Sequence, residues 1–449
     1  MMLKLADLAA CFEGVVPSIV ATVAADGTPN ISYLSHIVLV DDAHVGLSNQ
    51  FFSKTAANLR ANPTAALLVV DPCDGAQFRL DARFVETITN GPLFERVAAQ
   101  THGANSQAGF AGMMKLRSVD VFQVQAIRAV RSAGERKDPR GTPDYLARLA
   151  PLTGLTHATE LDGLISAALD GLGSAFGFEN LLLLMAVPEQ QSLVTLGSFG
   201  YAPTGIGSEV AFGEGVIGAA AREQRVVRVT DMSRVRRLVA AVEAGGPDSF
   251  AAAERRTRTI ALPFRPDAMS QIAVPLVAAG ALVGVLFVES PTRLAFGPAE
   301  EQALSVLGRE LAAALALASV TAHRSATPAA AGSAPVPSER VFKVVHSAFD
   351  DSVFIDGEYV IKGVSGRLLM LLLKLHKREG RASFANLELR HNPELRLTGI
   401  RDNFETRLLL LRRRLDEKGA PIRLVPTARG RFALELLGRP IVVRHEPDA

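Results

Sequence analysis

Ser53-Lys54-Thr55 opens FFSKTAANLRANP, a stretch with helical spacing that Asn62-Pro63 stops. Two hydroxyls, an ammonium and the free amides of a first helical turn suit an anion such as a phosphate. The same residues also allow a plainer arrangement, with Ser53 as an N-cap and Lys54 as a solvated surface charge. His36 is the one side chain nearby that could act as an acid or base, although a histidine on an alternating strand also has structural uses. No nucleophile–base pair and no carboxylate dyad accompanies it, so no catalytic residue is assigned. The remaining histidines lack metal-ligand spacing, and Cys11 and Cys73 form neither a CxxC site nor a disulfide framework. There is no Walker A or kinase motif.

The elements that must position these groups fall into three parts. The chain has 449 residues, 48 % apolar and 21 % charged, a globular composition too long for one core. Arg131 to Asp144, rich in charge, Gly and Pro, and Ala322 to Ser338, mostly Ala, Pro, Ser and Gly, have linker composition with little to bury. The expected division is 1–130, a linker at 131–146, 147–320, a linker at 321–338, and 339–449. The formal net charge of +2 hides an asymmetry: residues 339–449 hold 21 Lys and Arg against 15 Asp and Glu, leaving the rest of the chain acidic. The opening MMLKLADLAACFEG does not read as a signal peptide. The apolar run Ile272–Val288 is too short, and too broken by Pro275, Gly280 and Gly284, to span a bilayer. A cytoplasmic protein without a membrane partner is expected.

Residues 17–90 read mainly as strands with turns at Asp26-Gly27 and Asp41-Asp42. With the G-x-P-N run ahead of it and S-K-x-x-x-N-x-x-x-N-P behind, this part resembles the FMN-binding split barrel of the pyridoxamine 5′-phosphate oxidase family. The resemblance implies FMN as a cofactor, its phosphate held by Ser53, Lys54, Thr55 and Asn58, with Ser35 and Gln50 as flanking candidates. It also implies a homodimer with flavin at the interface. The family's basic residue on the preceding strand is not evident; Ser35-His36 stands near that place.

From 147 to 320 helices and strands alternate. Leu161, Ile165, Leu169 and Leu172 mark one helix, LLLLMAVPE and SLVTLGSFGY two strands, and Ile272–Val288 a hairpin joined at Ala278–Ala281. Leu304, Leu307, Leu311 and Leu315 stripe a closing helix. Gly213 to Gly218, Arg225 to Asp231, Ala273 to Leu276 and Leu282 to Glu289 follow one another as in a GAF domain. That resemblance implies a sheet with a small-ligand pocket or, equally, a module that only packs and dimerises. The long stretch 231–270 holds Arg234, Arg236, Arg237, Arg255, Arg256, Arg258 and Arg265, either an anion receiver or a solvated face.

The last part reads as strands with a turn at Asp356-Gly357, two helices, a third helix from about Ile400 to Lys418, and a hairpin near Gly430. Ile400, Phe404, Leu408, Leu411 and Leu415 form the third helix's inward face. Leu411-Arg412-Arg413-Arg414-Leu415 and Arg429-Gly430-Arg431-Phe432 resemble the winged helix of OmpR-type regulators. The resemblance implies that Arg407, Arg412, Arg413 and Arg414 meet phosphates or base edges, and that Arg429 and Arg431 reach the backbone from the wing. Leu409 and Leu410 leave the packed stripe, toward thymine methyls or a protein.

The fold class expected is a multidomain α+β chain of split β-barrel, GAF α/β sheet domain and winged helix. The function expected is a one-component sensor and transcriptional regulator that binds flavin or another small ligand, and DNA. Two alternatives stand beside it: an FMN-dependent oxidoreductase with accessory domains, and a protein-interaction scaffold.

Overall fold

The computed structural model describes residues 3–34, 36–49, 53–107, 116–131, 144–152, 160–233, 260–321, 340–397 and 404–445. Its first unit opens with β1 (Ser18–Val23) and β2 (Pro29–Leu34), joined where Gly27 takes a φ of +87°. β3 (Ile37–Leu39) and β4 (His44–Asn49) lead to helix α1 (Ser53–Ala61), which ends just before Asn62-Pro63. β5 (Thr64–Val70), β6 (Gln77–Ile88), helix α2 (Pro92–Gln107) and β7 (Ser118–Arg131) complete it. The seven strands form one antiparallel sheet in the order β2-β1-β5-β6-β7-β4-β3. Three register shifts between β6 and β7 bend it. Alternation along β5 and β6 sends Leu67, Val69, Phe78 and Leu80 into a core shared with Leu5, Leu8 and Phe122.

Helix α3 (Tyr145–Leu149) precedes α4 (Leu161–Phe176), and the Tyr145 ring lies tilted against Phe176 at 6.3 Å between centroids. The second sheet contains β8 (Asn180–Val187), β9 (Ser192–Phe199), β10 (Glu209–Ala211), then helix α5 (Gly215–Glu223), β11 (Val227–Val229), β12 (Ser270–Ala278) and β13 (Ala281–Ser290). Its order is β10-β9-β8-β13-β12-β11, and helix α6 (Pro298–Thr321) closes the unit. β8 is an unbroken apolar run because both its faces are covered. Leu181 and Leu183 join the core under α4 and α6, while Leu182 and Leu184 join the one under α5.

The third unit has β14 (Val341–Ser347), β15 (Ser352–Ile355), β16 (Glu358–Ile361), helix α7 (Gly363–Glu379), β17 (Ser383–Ala385) and helix α8 (Asn386–Arg390). Helix α9 (Phe404–Glu417), β18 (Ile422–Ala428), β19 (Arg431–Leu436) and β20 (Arg439–His445) follow. The strands form two sheets, β16-β15-β14-β20 and β17-β19-β18. β20 returns to pair in parallel with β14. The second and third units share one continuous apolar core, so the linker between them does not separate two independent bodies.

Candidate functional site

Lys54 stands exposed in the first turn of α1. Asp26 is held below the usual carboxylate range mainly by bonds from Thr28, with Lys54's charge adding to them. Thr55 and Asn58 turn the other way and are buried. Asn30 Nδ2 donates to Thr55 Oγ1 at 3.1 Å, and Thr55 Oγ1 lies 3.1 Å from Ser32 Oγ. Asn58 Nδ2 donates to Thr22 Oγ1 at 3.1 Å. Buried polar groups must be paired, and β1 and β2 supply the partners. Thr55 and Asn58 therefore pin the helix to the sheet and leave the set expected to touch a phosphate. Among the described side chains of that set, only Lys54 fits an anion. Ser35, Gln50 and the Ser53 side chain lie outside the described residues.

His36 does not serve as an acid–base group for α1. Its ring lies against Gly14, where a methyl group would come within 2.5 Å of Nδ1. Burial pushes its pKa down to about 4, with Arg228 and Arg96 adding to the effect against a hydrogen bond the ring donates to Gln100. This corner is the joint between the first two units. Arg228 Nη1 donates to Glu13 Oε2 at 2.6 Å and to Phe296 O at 2.8 Å, and its Nε to Glu301 Oε2 at 3.0 Å. Thr230 Oγ1 donates to Glu13 O at 3.0 Å. Burial raises the Glu13 carboxyl against the pull of Arg228.

In the second unit the strand end Glu289 is buried with three donors on its carboxylate: Tyr201 Oη at 2.7 Å, the Arg265 amide at 2.5 Å and Gln271 Nε2 at 3.1 Å. Burial raises the pKa of both Glu289 and Tyr201. Arg265 also reaches Asn180 Oδ1 at 2.9 Å and Asp267 Oδ1 at 2.8 Å. Of the arginines between 231 and 270 it alone is among the described residues; the other six lie outside them. The sequence signal for this cluster was a lone carboxylate closing the apolar run Leu282–Glu289.

Helix α9 places its arginines unlike a free DNA reader. Asp162, in the first turn of α4, holds both Arg412 and Arg413. Arg413 Nε donates to Asp162 Oδ1 at 2.7 Å, its Nη1 to Leu196 O at 2.6 Å and its Nη2 to Ser166 Oγ at 3.2 Å. A methyl group at Gly197 would stand 3.1 Å from Arg413 Nη1, so the bare backbone gives the guanidinium its path. Arg414 is buried: Nε donates to Val360 O at 3.0 Å and Nη1 pairs with Glu417. It braces the third unit and leaves the DNA-facing set. Leu409 and Leu410 are buried as well, not free to meet thymine methyls. Arg407 is half-buried, Arg431 lies on β19 and Arg429 is exposed beside Gly430 at the hairpin tip.

Residues 6–131 match the pyridoxamine 5′-phosphate oxidase family model, and residues 158–316 match that of the GAF domain. The first unit is oxidase-like and the second is a GAF domain. No curated protein matches the chain. Among solved structures, the free methionine-R-sulfoxide reductase of Neisseria meningitidis is 20 % identical, over 40 % of this chain and 94 % of its own, with a TM-score of 0.30. The GAF domain of an Acinetobacter phosphoenolpyruvate-protein phosphotransferase is 16 % identical, over 40 % and 97 %, at 0.31. An FMN-binding protein from Syntrophomonas wolfei is 17 % identical, over 28 % and 84 %, at 0.24. These scores are too low to carry an argument, so the assignments rest on the two family models. Among the described residues no helix is long and apolar enough to cross a membrane, and no group of three side chains could hold a metal ion.

Proposed function

We propose that the chain is a one-component regulator: the oxidase-like unit and the GAF domain bind small molecules, and the third unit is an OmpR-type winged helix that binds DNA. Both matched domain types suggest ligand binding and sensing. The observation that carries the DNA reading is the order of the third unit, in which strands, α7, α8 and α9 are followed by a hairpin with Arg429 exposed at its tip. The basic balance of residues 339–449 supports it. The test is fluorescence anisotropy of labelled genomic fragments over a salt series. Arg429→Ala should weaken binding uniformly and lower the salt slope by about 1. Binding no stronger than to a nonspecific duplex at physiological salt would sink the reading.

The flavin reading rests on Lys54 at the head of α1. FMN, when bound, would supply the redox chemistry of an oxidoreductase. Among the described residues, the Lys54 ammonium and the first-turn amides would hold its phosphate. The visible absorption spectrum of the purified protein separates flavin from an apo sensor. A homodimer is supported by Ile31 and Tyr33, both strongly exposed on the edge strand β2.

A further inference from the structure

We infer that the GAF domain holds the arginine face of α9 shut, with the Asp162 carboxylate standing where a DNA phosphate would otherwise bind. The inference rests on the DNA reading above and adds its regulation. Helix α9 has two buried faces. Phe404, Leu411 and Leu415 pack into the third unit, as their period requires. Leu410, Arg413, Arg414 and Glu417 follow one another at helical spacing on the other side. All four meet the GAF domain, Arg414 through its Cδ beside Gly207. Leu410 lies by Gly207, Arg413 bonds Asp162, Ser166 and Leu196, and Glu417 accepts from Thr204. Lys362 adds a further link to Glu209 at 3.1 Å.

A duplex phosphate cannot take up Arg413, which α4 and β9 cover, nor displace water from Arg412 while Asp162 holds it. One carboxylate shared by two guanidinium forks reproduces the charge pattern of a phosphate between two arginines. The clasp is also built to open. Arg412 and Asp162 line an open cleft of about 660 Å³ with Glu160, Asp416 and Arg423, so solvent and ions reach the ion pair from one side. Asp162 sits on α4, whose buried residues Ile165 and Leu169 pack against β9 beside Gly197. A shift of the GAF sheet therefore moves the clasp. Binding of DNA is reduced by the fraction of molecules in which α9 is docked.

The experiment uses the full chain, a fluorescein-labelled mixed-sequence duplex at low salt, and hydrogen exchange across α9. Asp162→Ala should bind the duplex about 10-fold tighter than the unsubstituted protein. Its salt slope should steepen by about 2 as Arg412 and Arg413 join the phosphate contacts. The α9 amides should exchange faster. Asp162→Asn keeps the shape and one acceptor, and should show the same change at smaller size, which covers the case of a poorly folding alanine variant. If both forms bind equally and Arg413→Ala weakens both, DNA binding stands and the gate is overturned. If neither form binds while exchange in α9 quickens, the DNA reading itself fails and takes the gate with it. Unchanged affinity with unchanged exchange shows that Asp162 does not hold the helix, and also overturns the proposal.

Discussion

The GAF domain meets its two neighbours through arginine–carboxylate joints of opposite construction. Toward the oxidase-like unit the arginine is its own: Arg228, 9 % exposed, reaches Glu13, 12 % exposed, and also holds Glu301 and a carbonyl. Toward the third unit the carboxylate is its own. Asp162 is 39 % exposed and carries two arginines at the edge of a cleft. A desolvated pair that loses one partner leaves an uncompensated buried charge, whereas a wet pair can exchange its partner for water or an ion at little cost. The first joint is thus a fixed hinge plate and the second a latch.

The largest effect should come from breaking the fixed joint. Arg228→Ala should lower stability by about 3–5 kcal/mol, measured by urea unfolding, because it strands the Glu13 carboxylate in a buried corner. An unchanged midpoint would mean that both joints are equally wet.

Loss of apolar contact in the latch should matter less. Leu410→Ala should cost about 2–3 kcal/mol, with faster hydrogen exchange in α9 and none in the oxidase-like unit. Equal acceleration in both would show that the joints open together.

The smallest effect is in pH dependence, and it has two signs. His36 beside Arg228 is neutral in the fold, with its pKa moved from 6.5 to about 4. The unfolded chain therefore binds the extra proton, and stability drains away as pH falls from 6.5 to about 4. Glu289 works in reverse: its raised pKa adds stability at low pH that is lost as pH climbs above 4.5. Across melting curves between those values, His36→Gln should flatten the acid limb by no more than about 1.4 kcal/mol per pH unit. Glu289→Gln should steepen the acid limb instead. An acid limb unmoved by His36→Gln would place its ring in solvent.

Much of the local structure was legible because local rules dominate there. Asp26-Gly27 and Asp356-Gly357 are turns, Asn62-Pro63 ends α1, and Ala278–Ala281 joins β12 to β13. Helix α2 and strand β20 were missed. The first lacks a clean apolar stripe, and the second is defined by a strand almost a hundred residues earlier. At the sites, residue type was legible and direction was not. Thr55 and Asn58 have the right chemistry for a phosphate, but their hydrogen-bond partners sit on strands 25 and 36 residues away in the chain.

The arginine helix shows the same division most sharply. Its period places Phe404, Leu411 and Leu415 inside, since a 3.6-residue repeat admits no other common face. The repeat also shows Leu409 and Leu410 to be out of place, and so announces a second contact. What fills that contact depends on Asp162, Leu196 and Gly207, more than 200 residues earlier, and no local spacing encodes so distant a meeting. Sequence alone determined which residues could grip an anion. The packing of the GAF domain against α9 decided that two of them grip a carboxylate of the same chain.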